Sequence, residues 1–315
     1  MKKIFPVNSK QQITKTIFMK QIITILLTAC CLSACKKEQK LLPVPVSDLG
    51  HVDLILDSTA FHAILQDSFL TNEFAVLSQD TTMYSKPSYD IYLTGREAFL
   101  HISLAKEYWA DKAGSGVMIF QTRRPGKADS LLLGWKKFYR DSLIKHTFEG
   151  GDFSLGEIMP YRKKDSTRPV QPNFTPLLTS YSAQAYKNWG FNDSLINNGL
   201  PMQEFMNSWD TATQSKLFKK LKSLHVQLTE QEFTEMESAL QTMGYEKQAN
   251  GFTHAFNPSV YYTITEKNEV PKYTRIEIEL AGAAAERTIH LGTAYTIKVK
   301  DSVMVIEQFK KDLEN

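Results

Sequence analysis

The sequence predicts an α+β fold in which a β-α-β-β-β unit is written about three times, its mixed sheets carrying helices on one face. Three observations predict it. Runs such as HVDLILD (51–57), FLHISL (99–104) and RIEIEL (275–280) alternate apolar and polar residues, the period of a strand with one buried face. Between such runs, apolar residues recur at helical spacing: Phe61, Ile64 and Leu65, then Leu131, Trp135, Phe138 and Tyr139, then Phe233, Met236, Leu240 and Met243. A histidine heading a short apolar run that leads into a helix-like pattern occurs at His51 and again at His225.

In chain order, Val52, Leu54 and Leu56 share one face of the first strand, and Asp57 or Ser58 caps the helix that follows. A strand near Phe74–Met83 comes next. YDIYL (89–93), the turn at Thr94-Gly95 and AFLHISLA (98–105) then read as a hairpin. The pattern restarts with the strand GVMIFQT at Gly116, breaks at Pro125-Gly126 and continues as a helix over 127–144. Residues 145–176, rich in Gly, Pro and charge, read as a long irregular excursion or lid, and 177–186 as a closing strand. A polar linker covers 190–220. The third unit opens with LHVQL, and Thr229-Glu230-Gln231-Glu232 forms a capping box for a helix stopped by Gly244. Strand-like runs at 260–266, 275–280, 288–299 and 303–309 complete it. The domains expected are 49–189 (paired units), 190–220 (linker) and 221–315 (third unit).

The first 34 residues hold five lysines and no acid, and they end in ITILLTACCLSAC. A basic stretch before an apolar run too short to span a bilayer reads as an export signal over 1–34. Leu32-Ser33-Ala34-Cys35 resembles the bacterial lipoprotein cleavage box. It implies cleavage before Cys35, acylation of that cysteine, and a tether over 35–48 containing Pro43 and Pro45. The expected partner is thus a membrane, reached through the N-terminal lipid in the cell envelope, with Lys36 favouring the outer membrane. Met19 offers a second start immediately before the apolar run.

Removing five lysines takes Lys plus Arg from 37 to 32 against 34 acids, so the formal net charge moves from +3 to −2. No basic stripe remains, which argues against nucleic acid as a partner. Cys30, Cys31 and Cys35 are the only cysteines, so the folded part carries no thiol. That excludes disulfides, thiolate metal sites and cysteine nucleophiles. No GxGxxG, P-loop, HExxH, GxSxG or calcium-loop pattern occurs.

The order of the segments HVDLILDSTAF, YDIYLTGREAFLHISLA, GSGVMIFQT and RIEIELAG…IHLGTAYTIKV resembles the vicinal oxygen chelate superfamily of glyoxalases, extradiol dioxygenases and bleomycin-resistance proteins. More narrowly, it resembles an uncharacterised family of bacterial glyoxalase-like proteins. The resemblance implies curved sheets with helices on the convex face and a ligand in the hollow. Its metal-binding members use one side chain from the first strand of a unit and one from the last. Carried over, this implies His51 with His101 as ligands of a divalent metal, or alternatively His225 with Glu277; the second unit supplies only Gly116 and Ser180. Independently, alternation places His101 opposite Leu100, Ile102 and Leu104, and His51 opposite Val52 and Leu54. Both imidazoles thus point away from the helix, where they could meet a metal, a proton or a ligand. A half-exposed sheet shows the same alternation with no site at all.

Two functions follow as expectations. One is a lipid-anchored envelope protein whose glyoxalase-like cleft binds a small molecule or a partner without catalysis. The alternative is a metal-dependent lyase, isomerase or dioxygenase. Trp109, Trp189, Trp209, Tyr181 and Tyr186 read either as core or as a stacking surface, and KLFKKLK (216–222) as a basic edge.

Overall fold

The computed structural model describes residues 45–83, 87–105, 113–128, 130–131, 133–134, 143–150, 153–160, 162–164, 168–170, 174–266 and 272–308. The export signal, Cys35 and Trp109 lie outside these residues. The fold is α+β, with two mixed sheets and short helices.

The first half opens with β1 (Ser47–Leu56), α1 (Ser58–Gln66) and a π-helical turn (Phe69–Phe74). The strands β2 (Val76–Met83), β3 (Pro87–Thr94) and β4 (Phe99–Leu104) follow. Asp57 caps α1 as expected, its carboxylate accepting from Ala60 N at 2.9 Å. Next come β5 (Gly116–Thr122), β6 (Leu143–Gly150), β7 (Phe153–Pro160), the small pair β8 (Arg162–Lys164) and β9 (Arg168–Val170), and β10 (Phe174–Tyr181). Together they form an eight-stranded sheet in the order β2-β3-β4-β1-β5-β10-β7-β6, with β8 and β9 paired separately. β1 runs parallel to β4, β5 runs parallel to β10, and β1 and β5 meet antiparallel at the centre. Central β5 is buried along its whole length, which is why GVMIFQT is almost continuously apolar.

Short helices follow: α2 (Ala183–Asn188), α3 (Asp193–Asn198), α4 (Met202–Trp209) and a 3-10 turn (Thr211–Ser215). The last part holds β11 (Phe218–Leu228), α5 (Glu230–Thr242), β12 (Glu246–Gln248), β13 (Gly251–Thr253), β14 (Ser259–Ile264), β15 (Lys272–Leu291) and β16 (Tyr295–Gln308). Their sheet order is β12-β13-β14-β11-β15-β16. The Thr229–Glu232 capping box is present, and Gly244 ends the turn after α5 at φ +91°.

Three sequence expectations are corrected. Residues 145–176 are not an irregular excursion: β6 and β7 form an antiparallel hairpin with β6 at the sheet edge. The helix expected over 127–144 is helical at the described positions 128, 130–131 and 133–134, lies outside the described residues at 135–142, and differs only where β6 begins at Leu143. An edge strand is paired on one side only and tolerates charge and glycine, so its sequence imitates a loop. The stretch 190–220 is more than a linker, because it contains α3, α4 and the start of β11. Amphipathic MQEFMNSW is too short for helical periodicity to stand out, yet it buries Met202, Phe205 and Met206. The runs at 288–299 and 303–309 divide elsewhere, since β15 reaches Leu291 and the chain turns at 292–294 into β16.

One apolar cluster joins both sheets. It includes Val52, Leu54, Leu100, Ile102, Met118 and Phe120 of the first sheet and Leu224, Val226, Ile276, Ile278, Met304 and Ile306 of the second, with Phe61 and Ile64 of α1 and Met236 and Leu240 of α5. Polar ties cross the same boundary. Tyr273 donates its N–H to Gly114 O and its hydroxyl to Val117 O, each at 2.9 Å. Asn257 accepts from Leu49 N at 2.9 Å and donates to Ser47 O at 3.1 Å, completing the start of β1 as a neighbouring strand would. Asn257→Ala leaves both buried backbone groups without these bonds. It is expected to cost about 1–3 kcal/mol in urea denaturation, whereas Gln248→Ala, on an exposed strand, should change little.

Candidate functional site

The site lies on the face of the first sheet turned away from the shared core. A register shift at Gly50 places Asp48 on the same face as His51 and Asp53. Across β4, His51 lies beside Phe99 and Asp53 beside His101. On the other side of β4, His101 pairs with Tyr92 and Ser103 with Asp90. Alternation and register therefore bring three strands' polar residues into one cluster. The rings stack in pairs, His51 on Phe99 at 4.0 Å and His101 on Tyr92 at 4.5 Å. Val117, Ile119 and Leu177 extend this face as an apolar patch over β5 and β10. Phe99 joins a second cluster with Tyr186, Ile196, Leu200, Met202 and Phe205, through which α2, α3 and α4 cover one end of the face.

His101 is the centre of the cluster. Its Nδ1 lies 3.0 Å from Asp53 Oδ1 and its Nε2 lies 3.4 Å from Asp90 Oδ1, while Ser103 Oγ donates to Asp90 Oδ1 at 2.5 Å. Burial alone would lower the His101 pKa, but the two aspartates outweigh it and raise the value to about 10. At neutral pH the ring is an imidazolium whose two N–H groups face carboxylates. His51 behaves oppositely. Burial dominates and lowers it to about 4, with Asp53 pulling upward and His101 pushing down. Its Nε2 is 3.7 Å from Asp53 Oδ1, beyond hydrogen-bond reach, and its side chain is 19% exposed. His51 is therefore a neutral imidazole beside a fixed cation.

The structure brings the expected pair His51 and His101 to one face and adds Asp53, Asp90 and Ser103, which the sequence reading did not single out. Asp53 was legible two residues beyond His51 by the same alternation. Asp90 needed the β3–β4 register. A divalent metal does not fit the group. Both nitrogens of His101 are committed to carboxylates, and among the described residues no three His, Cys, Asp or Glu side chains are arranged to hold a metal ion. Position two of the implied set, Gly116, has no side chain to offer, and Ser180 donates no charge; its Oγ accepts from Thr122 Oγ1 at 2.8 Å.

The alternative pair sits on the second sheet. His225 lies against Tyr261, with ring centres 4.7 Å apart, and burial lowers its pKa against an upward pull from Glu277. Glu277 is on β15, the antiparallel neighbour of β11, and its carboxylate takes Arg275 at 2.6 Å and Lys222 at 3.5 Å. Two donors, one already ion-paired, do not make a metal centre. KLFKKLK enters β11, where Lys219 and Lys220 both face Glu279. Tyr181, Tyr186, Trp189 and Trp209 pack with Phe205 as an aromatic cluster, and Trp209 remains 52% exposed. Among the described residues no helix is long and apolar enough to cross a membrane.

Comparison with solved structures finds a hypothetical protein from Staphylococcus aureus at TM-score 0.46 and 11% identity, covering 78% of this chain and 95% of that one. A dioxygenase candidate from Bacillus subtilis subsp. subtilis str. 168 superposes at TM-score 0.24 and 9% identity, covering 82% of each chain. No curated protein matches. Residues 49–307, which take in both sheets and the His101 cluster, match the model of the family described as Family of unknown function (DUF5829), and this chain belongs to that family.

Proposed function

We propose that this protein is a lipid-anchored component of a bacterial cell envelope that binds a small molecule or a partner without catalysing a reaction on it. The basic and apolar leader ending at Cys35 supports the anchor, and Cys35 itself lies outside the described residues. The relation to the vicinal oxygen chelate superfamily belongs to the same proposal. The strand order β2-β3-β4-β1 recurs as β6-β7-β10-β5 and as β12-β13-β14-β11, each time with the first strand of the unit, which lies inside its sheet, parallel to its neighbour. That repetition supports β-α-β-β-β units whose helices back the sheet face opposite the ligand.

One observation carries the non-catalytic reading: His101 is held between Asp53 and Asp90, so the ring that a chelating site would use is an internal counter-ion. His51, whose side chain is 19% exposed, is left as the recognition group on that face, beside the buried Val117–Ile119–Leu177 cluster. The test uses the untagged chain with Cys35→Ser. Metal content by mass spectrometry should fall well below one ion per chain. Melting temperature should not move when zinc, iron, manganese or nickel is added. Stoichiometric metal that is lost in His51→Ala would overturn the reading and restore the lyase, isomerase or dioxygenase alternative.

A further inference from the structure

A separate cavity of about 270 Å³ opens where β1, the loop before β4, α4 and the loop 254–258 meet. Its frame is built. Asp48 receives two hydrogen bonds from Arg123, at 2.7 and 2.8 Å, and one from Met202 N at 2.9 Å. His254 Nδ1 accepts from the backbone N–H groups of Phe256 and Asn257, both at 3.1 Å, which curls that loop over the opening. Asn257 then fixes the loop to β1.

Within this frame four side chains keep their binding capacity. Glu97 has no hydrogen bond or ion pair on its carboxylate among the described residues, although its backbone N–H is tied to Lys219 O at 2.9 Å. Burial raises its pKa, against the pull of Lys220 and Lys219. The Lys220 side chain is 41% exposed, and among the described residues its ammonium lies 3.5 Å from Glu279. Gln203 offers an exposed amide. Phe256 is 46% exposed, with the Arg123 guanidinium 5.8 Å from its ring centre.

A half-buried carboxylate with no hydrogen bond or ion pair among the described residues is the kind of group a ligand completes. The character of that ligand follows from the balance of charge. Asp48 and Glu97 are matched by Arg123 and Lys220, so the cavity exerts no net pull on either sign of ion. An acceptor, a strong donor and an amide around one aromatic ring suit hydroxyl groups, each of which both donates and accepts. The exposed ring suits an apolar C–H face. The volume falls just below the ~300–1,000 Å³ of drug-sized sites, which suits a single ring better than a chain.

We propose that this cavity binds one ring of a neutral saccharide, with Glu97 accepting from hydroxyls, Lys220 and Gln203 donating to them, and Phe256 beneath the ring. None of His51, Asp53, Asp90, His101 and Ser103 lines the cavity, so the metal test above stands or falls independently.

The test is saturation-transfer NMR and calorimetry on the Cys35→Ser chain with four probes: the methyl glycosides of glucose, galactose, mannose and N-acetylglucosamine. Dosing each to roughly 20 mM fills most of a site with a Kd in the mM range. At least one probe should bind saturably, and Glu97→Gln and Phe256→Ala should each weaken it about tenfold while leaving the melting curve unchanged. Neither substituted side chain is part of the frame, so both variants should fold. Failure of all four sugars to bind would overturn the proposal. Binding that survives both substitutions would move the ligand elsewhere and overturn the site, and binding of free glycine or alanine in place of sugars would overturn the ligand class.

Discussion

His101→Ala should destabilise the protein by about 3–5 kcal/mol in urea denaturation, because it leaves two buried aspartates without the cation between them. Asp53 and Asp90 are each 1% exposed, so water cannot replace the imidazolium without opening the sheet. The cost belongs to the broken set more than to the worth of the intact one. Replacing all three residues together (His101→Met, Asp53→Asn, Asp90→Asn) should recover much of the loss. A loss below about 1 kcal/mol in the single variant would mean that the cluster is solvated. The pH dependence has a definite sign. His101, raised from 6.5 to about 10, binds its proton more tightly when folded; its contribution is complete below pH 6.5 and disappears as pH rises through 10. His51, lowered from 6.5 to about 4, acts the other way, and stability falls as pH drops from 6.5 towards 4. Stability from the pair should therefore peak near pH 6.5, and His101→Ala should flatten the alkaline side and also shrink the acid one, since the charge that pushes His51 down is removed.

Gly116→Ala should be the most damaging of the glycine-to-alanine changes among the described residues, about 4 kcal/mol or more, with loss of soluble protein. A Cβ at this position would lie 2.0 Å from Asp53 O and 2.6 Å from Tyr273 Cε2. The first is backbone on a central strand and the second is a buried ring tied to Val117 O, so neither has room to retreat. Gly282→Ala is the control, because its Cβ would meet nothing within 4 Å. Equal melting temperatures for the two variants would refute the packing argument. Gly116 also explains a departure seen in the sequence. The first strand of the second unit offers no ligand because the first strand of the first unit passes too close for any side chain.

The strands and helices with one clean apolar face were legible. HVDLILD gave β1, Asp57 gave the cap of α1, and Thr229 with Glu232 gave the box that opens α5. What escaped was set by neighbours in space. β6 is the edge strand of its sheet, paired only with β7, and the charged and glycine-rich sequence of the two looked like a loop. The direction of His51 and His101 followed from alternation. Their chemistry did not, because Asp90 reaches His101 only through the pairing of β3 with β4. The saccharide cavity was invisible for the same reason: Glu97, Lys220 and Phe256 are far apart in the chain and carry no motif. The expected partner of His225 was Glu277, but the parallel strand beside β11 is β14, which presents Tyr261.

The apolar filling that serves both sheets has a consequence for how such a chain can change over time. Neither half could be inherited, borrowed or shed alone, because each would carry away one wall of a room the other still needs. Change should therefore be tolerated best at the rims, where short helices and loops meet the sheet ends, and least in the shared interior.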